Sequence, residues 1–179
     1  MHDWNVVVTV HKGGYNLGKK FLEQFGPVHR TDFFNILVMR VGDHRQFLEE
    51  LRDRTERDTV GYTSLARVIP VVETFTFQTP AEFDAKSRQA VCAWLPVLAN
   101  KGFHLRMHRR GFKGKLSSMD EERFLDTYLL EALATAGTPG HINFDNPDAI
   151  IALETIGPRA GLSIWTLEEL ERYPFLHLN

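Results

Sequence analysis

Ala149 to Ile156 reads Ala-Ile-Ile-Ala-Leu-Glu-Thr-Ile. A strand turns alternate residues to opposite faces, and this stretch is apolar on both faces apart from Glu154. A strand inside a sheet that is covered on both sides fits that pattern. The chain is therefore expected to be α/β (α+β), with helices laid over sheets. Glu154 is the exception in the stretch. A carboxylate among apolar neighbours needs a buried arginine or serves as an acid, and pairing is the expectation.

Upstream, Asn5 to His11 is β-branched and apolar and reads as a strand. Tyr15 to Phe25 places Leu17, Phe21, Leu22 and Phe25 at helical spacing, and Gly26-Pro27 ends that helix. Val28 to Arg30 and Phe33 to Val41 read as strands. Asp43, with Gln46 three residues on, caps a second helix with Phe47, Leu48 and Leu51 on its apolar face. Leu65 to Phe77 is again β-rich, interrupted at Pro70. The order strand, helix, strand, strand, helix, strand is that of a ferredoxin-like unit, placed at residues 1–78. A second unit at residues 79–179 opens on Thr79-Pro80-Ala81-Glu82, a capping box with proline at the first helical position. Its helix is interrupted at Pro96. Ser118 and Glu121 form a capping box for a helix to about Ala136. Strands follow at His141 to Phe144, Ala149 to Ile156 and Ala160 to Thr166, then a helical turn at Leu167 to Arg172 and an edge strand at Phe175 to Leu178.

Phe103 to Arg110 alternates. Phe103, Leu105 and Met107 face one way and His104, Arg106, His108 and Arg110 the other, a half-buried strand with a basic outer face. The net charge of the chain is −2, yet residues 101–119 hold Lys101, Arg106, Arg109, Arg110, Lys113 and Lys115 and no acid. A local patch of this kind matters more to a polyanion than the sum does.

Four stretches together resemble a THUMP domain, the RNA-binding module of several tRNA-modifying systems. They are the strand from Phe103 to Gly111, the helix from Ser118 to Ala136, the turn Asn143-Phe144-Asp145-Asn146-Pro147-Asp148, and the strand from Ile150 to Thr155. The resemblance covers about residues 79–179, and a ferredoxin-like unit directly before a THUMP domain is the usual arrangement. It implies recognition of the acceptor end of tRNA. It also implies a stand-alone, adaptor-like protein that presents tRNA to a separate RNA-modifying enzyme such as a tRNA cytidine acetyltransferase.

The expected RNA contacts are Lys101, His104, Arg106, His108, Arg109, Arg110, Lys113 and Lys115. Arginine forks suit phosphate, and Gly111 and Gly114 allow close approach. Phe112 sits in the basic loop with no evident core role and is a candidate base-stacking residue. Lys12, Lys19 and Lys20 flank a glycine-rich strand-to-helix turn and offer a secondary phosphate contact. His104 and His108 are too far apart on a strand to share one metal ion, ~13 Å at ~3.3 Å per residue, so no metal is expected. Neither a P-loop nor a G-x-G-x-x-G signature is present, so no cofactor and no catalytic residue is expected, and the chain is expected to be no enzyme.

With 43% hydrophobic and 25% charged residues the composition is that of a globular protein. No run of ~18 apolar residues indicates a membrane span. The single cysteine, Cys92, reads as a small core residue, and the start lacks a signal-peptide pattern, so the expected location is cytoplasmic. Two rival readings stay open. The chain could be a protein-interaction module without an RNA role, docking through its acidic C-terminal region. Or it could be the RNA-binding subunit of a two-chain tRNA-modifying enzyme.

Overall fold

The computed structural model describes residues 3–178 and divides into two compact units. The first comprises the chain up to Val71 together with Leu170–His177. Its strands are β1 (Val6–Val10), β2 (Val28–Arg30), β3 (Ile36–Met39) and β4 (Leu65–Pro70), and its helices are α1 (Tyr15–Leu22), α2 (His44–Arg57) and α3 (Thr59–Thr63). The sheet order is β2-β3-β1-β4, all antiparallel. Two strand–helix–strand halves interleaved in this way make the ferredoxin-like arrangement. Val6, Val7 and Val8 are all buried, so β1 is covered on both faces. Asp43 caps α2 by accepting the Gln46 amide at 2.8 Å. Trp4, beside the terminus, is 1% exposed and part of this core.

The second unit holds residues 72–169 and Leu178. Its strands are β5 (Glu73–Thr76), β6 (Gly102–His108), β7 (His141–Ile142), β8 (Ala149–Ile156) and β9 (Arg159–Thr166), in the order β5-β9-β8-β6-β7. The helices α4 (Pro80–Cys92), α5 (Leu95–Leu98) and α6 (Ser118–Thr135) precede a short α7 (Leu167–Arg172). β6 runs parallel to β7 and β8, whereas β8 and β9 form an antiparallel hairpin. Every residue of β8 is buried, as its two-sided apolar sequence requires. One face of the sheet, with Phe103, Leu105, Met107, Ile151 and Leu153, joins Phe83, Val91, Leu125, Leu129 and Leu133 from the helices in one core.

Four local expectations are corrected. Leu65 to Phe77 does not lie wholly in the first unit: β4 closes the first sheet and ends at Pro70, the expected interruption, and β5 pairs with β9 in the second. Phe175 to Leu178 is no edge strand, because Pro174–Leu176 forms a 3-10 turn. This turn belongs with the first unit, where Arg172 grips Glu49 through two bonds of 2.7 and 2.9 Å. The cap of α6 is Ser117, one residue earlier than expected, accepting the Asp120 amide at 3.4 Å. Cys92 is half-buried rather than a core residue, with its thiol 2.8 Å from the Tyr128 hydroxyl.

Candidate nucleic-acid interface

β6 delivers the basic segment, and its two ends differ. Met107 and His108 lead into a loop, residues 109–117, ahead of α6. Two apolar residues pin that loop. Leu116 is buried in the core. The Phe112 ring packs against Phe77 with centroids 4.8 Å apart. The Phe112 carbonyl accepts the amides of Lys115 and Leu116 at 2.9 and 3.0 Å. Phe112 takes a φ of +53°, flanked by Gly111 at +95° and Gly114 at +79°. A bulky residue tolerates that region only when its surroundings compensate, and the ring's packing does so here. Phe112 is therefore a loop anchor, not a free stacking surface. Lys113, Gly114 and Lys115 stand exposed at the tip it holds.

Arg109 is half-buried and donates to the Gly111 carbonyl, which fixes its guanidinium beside the loop. An open cleft of ≈ 470 Å³ lies there, lined by Arg109, Lys115, Ser117, Ser118, Asp120 and Glu121. Two cations and the amide-rich start of an 18-residue helix meet in this cleft, a setting that favours an anion. Glu121 modifies it. Burial, with a hydrogen bond to Asp84 and the charges of Asp84 and Asp120, pushes its carboxyl up to about 8. A carboxyl held protonated at neutral pH removes one negative charge from the cleft.

The opposite face of β6 differs from the expected basic surface. Only Arg106 among its side chains is exposed. His104 is 2% exposed. Its Nδ1–H donates to the Asn143 carbonyl at 2.9 Å, and its pKa is lowered, chiefly by burial. Arg110 and His108 both bond Glu154, the latter at 2.9 Å. Glu154 is fully buried, so burial pushes its carboxyl up, and the two partners more than reverse this, leaving it below the ordinary range. Arg110 thus pairs with an internal charge, His108 adds a hydrogen bond to it, and His104 packs inside. The expected contacts that reach solvent are Lys101, Arg106, Lys113 and Lys115, with Arg109 in the cleft. In the first unit Lys12 and Lys20 are exposed, while Lys19 pairs with Glu23 at 2.7 Å.

The free edge of β6 carries a feature that the sequence reading missed. β7 pairs only with Gly102 and Phe103. Beyond it, Glu122 accepts the Met107 amide at 2.8 Å, and Asp126 accepts that of Leu105. The two acids lie four apart on α6, so one helix face closes the strand edge. Burial pushes Asp126 up to about 7. An acid pair at i, i+4 on the inward side of a helix was the available signal.

No protein-family model matches the chain, and no curated protein does. Solved structures match its fold. PH1313 from Pyrococcus horikoshii Ot3 is 10% identical with a TM-score of 0.58, over 90% of this chain and 54% of that one. A 4-thiouridine synthetase, solved as an RNA complex with bound ATP, is 12% identical with a TM-score of 0.55, over 90% and 41%. A possible methylase from Clostridium difficile 630 is 14% identical with a TM-score of 0.56, over 90% and 40%. This chain spans about half, or less, of the length of the structures it matches. The fold is α+β and THUMP-like.

The expectation that the chain is no enzyme is overturned by these matches, since the same fold occurs in a chain described as a possible methylase. The match covers under half of that chain and concerns the fold. Among the described residues, no helix is long and apolar enough to cross a membrane.

Proposed function

We propose that this chain binds structured RNA, tRNA above all, at its acceptor end, and presents it to the catalytic centre of an RNA-modifying enzyme. The observation that carries this reading is the pinned basic loop. Phe112 and Leu116 anchor it to the core, Arg109 and Lys115 line a cleft at the start of α6, and Lys113 is exposed in the same loop. Anchoring lowers the conformational entropy lost when the loop closes on a phosphate backbone. The shared fold with a synthetase solved on RNA supports the same reading. In its finer form the catalytic partner is a separate enzyme, such as a tRNA cytidine acetyltransferase, as the resemblance of the Phe103–Thr155 stretches implies.

The test is tRNA binding across a range of salt, with wild type and Arg109→Glu/Lys115→Glu. Wild type should lose affinity with a slope of ~0.7–0.9 in log K per neutralised phosphate, and the double variant should show a shallower slope and weaker binding. Equal binding by both proteins would remove RNA from the reading and leave a protein partner as the ligand class to pursue.

A further inference from the structure

Phe144 is the most exposed large apolar side chain of the second unit, at 68%. Its backbone is held firmly. Asn143 Oδ1 accepts the amides of Asp145 and Asn146 at 3.1 and 3.0 Å, and its Nδ2 donates to the Asn146 carbonyl at 3.0 Å. The turn is stitched to β6 at both ends, Asn143 N–H to the Phe103 carbonyl at 3.0 Å and Asp148 N–H to that of Gly102 at 2.8 Å. The buried His104 ring backs the phenyl, centroids 5.1 Å apart. A fixed turn that carries a bare ring into solvent is preorganised for a ligand with a flat face.

The surroundings select the ligand's chemistry. His104, kept in its neutral form by burial, adds no charge beneath the ring. Asp145 and Asp148 are exposed beside it and repel phosphate. Arg106 stands exposed on the same face of β6 as His104, two residues and ~7 Å along the strand from it at ~3.3 Å per residue, where it attracts phosphate. Beyond it, at the far end of the strand, lie Arg109, Lys113 and Lys115. An uncharged ring thus stands near the start of β6, with one cation further along that strand and others in the loop after it. We propose that Phe144 is the stacking platform for an unpaired nucleobase of the bound RNA, with Arg106 taking the adjoining phosphate. This rests on the RNA-binding reading above and assigns the stacking role to a residue other than Phe112.

The experiment compares a blunt RNA hairpin with the same hairpin bearing a short unpaired 3′ tail, bound to wild type, Phe144→Ala, Phe144→Trp and Arg109→Glu/Lys115→Glu. Wild type should prefer the tailed RNA. Phe144→Ala should lose roughly 5- to 100-fold on the tailed RNA and nothing on the blunt one, and Phe144→Trp should retain the preference. The ring is exposed, so both variants should keep the wild-type unfolding midpoint, which is checked alongside. The inference is overturned if the blunt hairpin binds with the expected salt slope while Phe144→Ala keeps the tail preference, or if wild type has no such preference. Failure of both RNAs to bind wild type would overturn the RNA-binding reading and this inference with it.

Discussion

Arg110 and Glu154 form an ion pair inside the second unit, the carboxylate fully buried and the arginine side chain 11% exposed. The backbone around them is tied as well. The Arg110 amide donates to Thr155 Oγ1 at 2.9 Å, and its carbonyl accepts the Gly157 amide at 2.8 Å. Removing one partner strands a buried charge, a loss of about 3–5 kcal/mol in comparable pairs. Arg110→Ala should therefore lower the urea midpoint sharply, while RNA affinity of the folded fraction stays near wild type. A larger effect on RNA affinity than on stability would return Arg110 to the phosphate contacts.

Phe112→Ala removes a ring that packs on Phe77 and should destabilise by about 2–4 kcal/mol. Phe112→Gly should destabilise less, by about 1 kcal/mol, because glycine accepts the positive φ that alanine does not. Chemical denaturation of the two variants measures that order. The reverse order would mean that the φ of +53° at this position carries no strain.

Much of this was legible in advance, and the failures share a cause. The alternation of β6 identifies its core face correctly in Phe103, Leu105 and Met107. The other face was read as solvated because alternation alone says nothing of what lies over a sheet. The remedy was in the sequence: β8 is apolar on both faces, and β6 pairs beside it with His104 opposite Ile150 and His108 opposite Glu154. A strand next to one buried on both sides shares its cover. The passage between the sheets at Val71 and Val72 was marked only by the interruption at Pro70, because β4 and β5 continue one β-rich pattern across it. Phe144 was passed over as part of a turn motif, since exposure is a property of the packed loop and not of its residue types.

In the first unit, Arg172 and Tyr173 both bond Glu49, whose carboxyl is held at about 2, chiefly by the Arg172 hydrogen bond. A depressed carboxyl contributes stability that is present above its unfolded value and lost as pH falls through the folded one. The segment Leu170–His177 should therefore become protease-sensitive between about pH 4 and 2. Arg172→Ala should show that sensitivity at neutral pH. Equal digestion of wild type and variant at pH 7 would show that Phe175 and Leu176, both buried, hold the segment without the ion pair.

Asp126 gives the opposite pH dependence. Its carboxyl is raised to about 7 by burial, against the hydrogen bond from Leu105 and with the charge of Glu122 adding to the rise. A raised carboxyl means that the folded chain holds a proton the unfolded chain has released. The associated stability is complete below about pH 4 and is lost as pH rises through about 7. Asp126→Asn keeps an acceptor for the Leu105 amide and has no proton to lose. Wild type should fall below the variant by about 2–4 kcal/mol at pH 8, and the two should converge towards pH 4. Urea denaturation at several pH values measures the gap. Glu121 shifts in the same direction in both proteins, so the difference between the curves isolates Asp126. Parallel curves would mean that Asp126 stays charged at the strand edge and that the Leu105 amide alone compensates its burial.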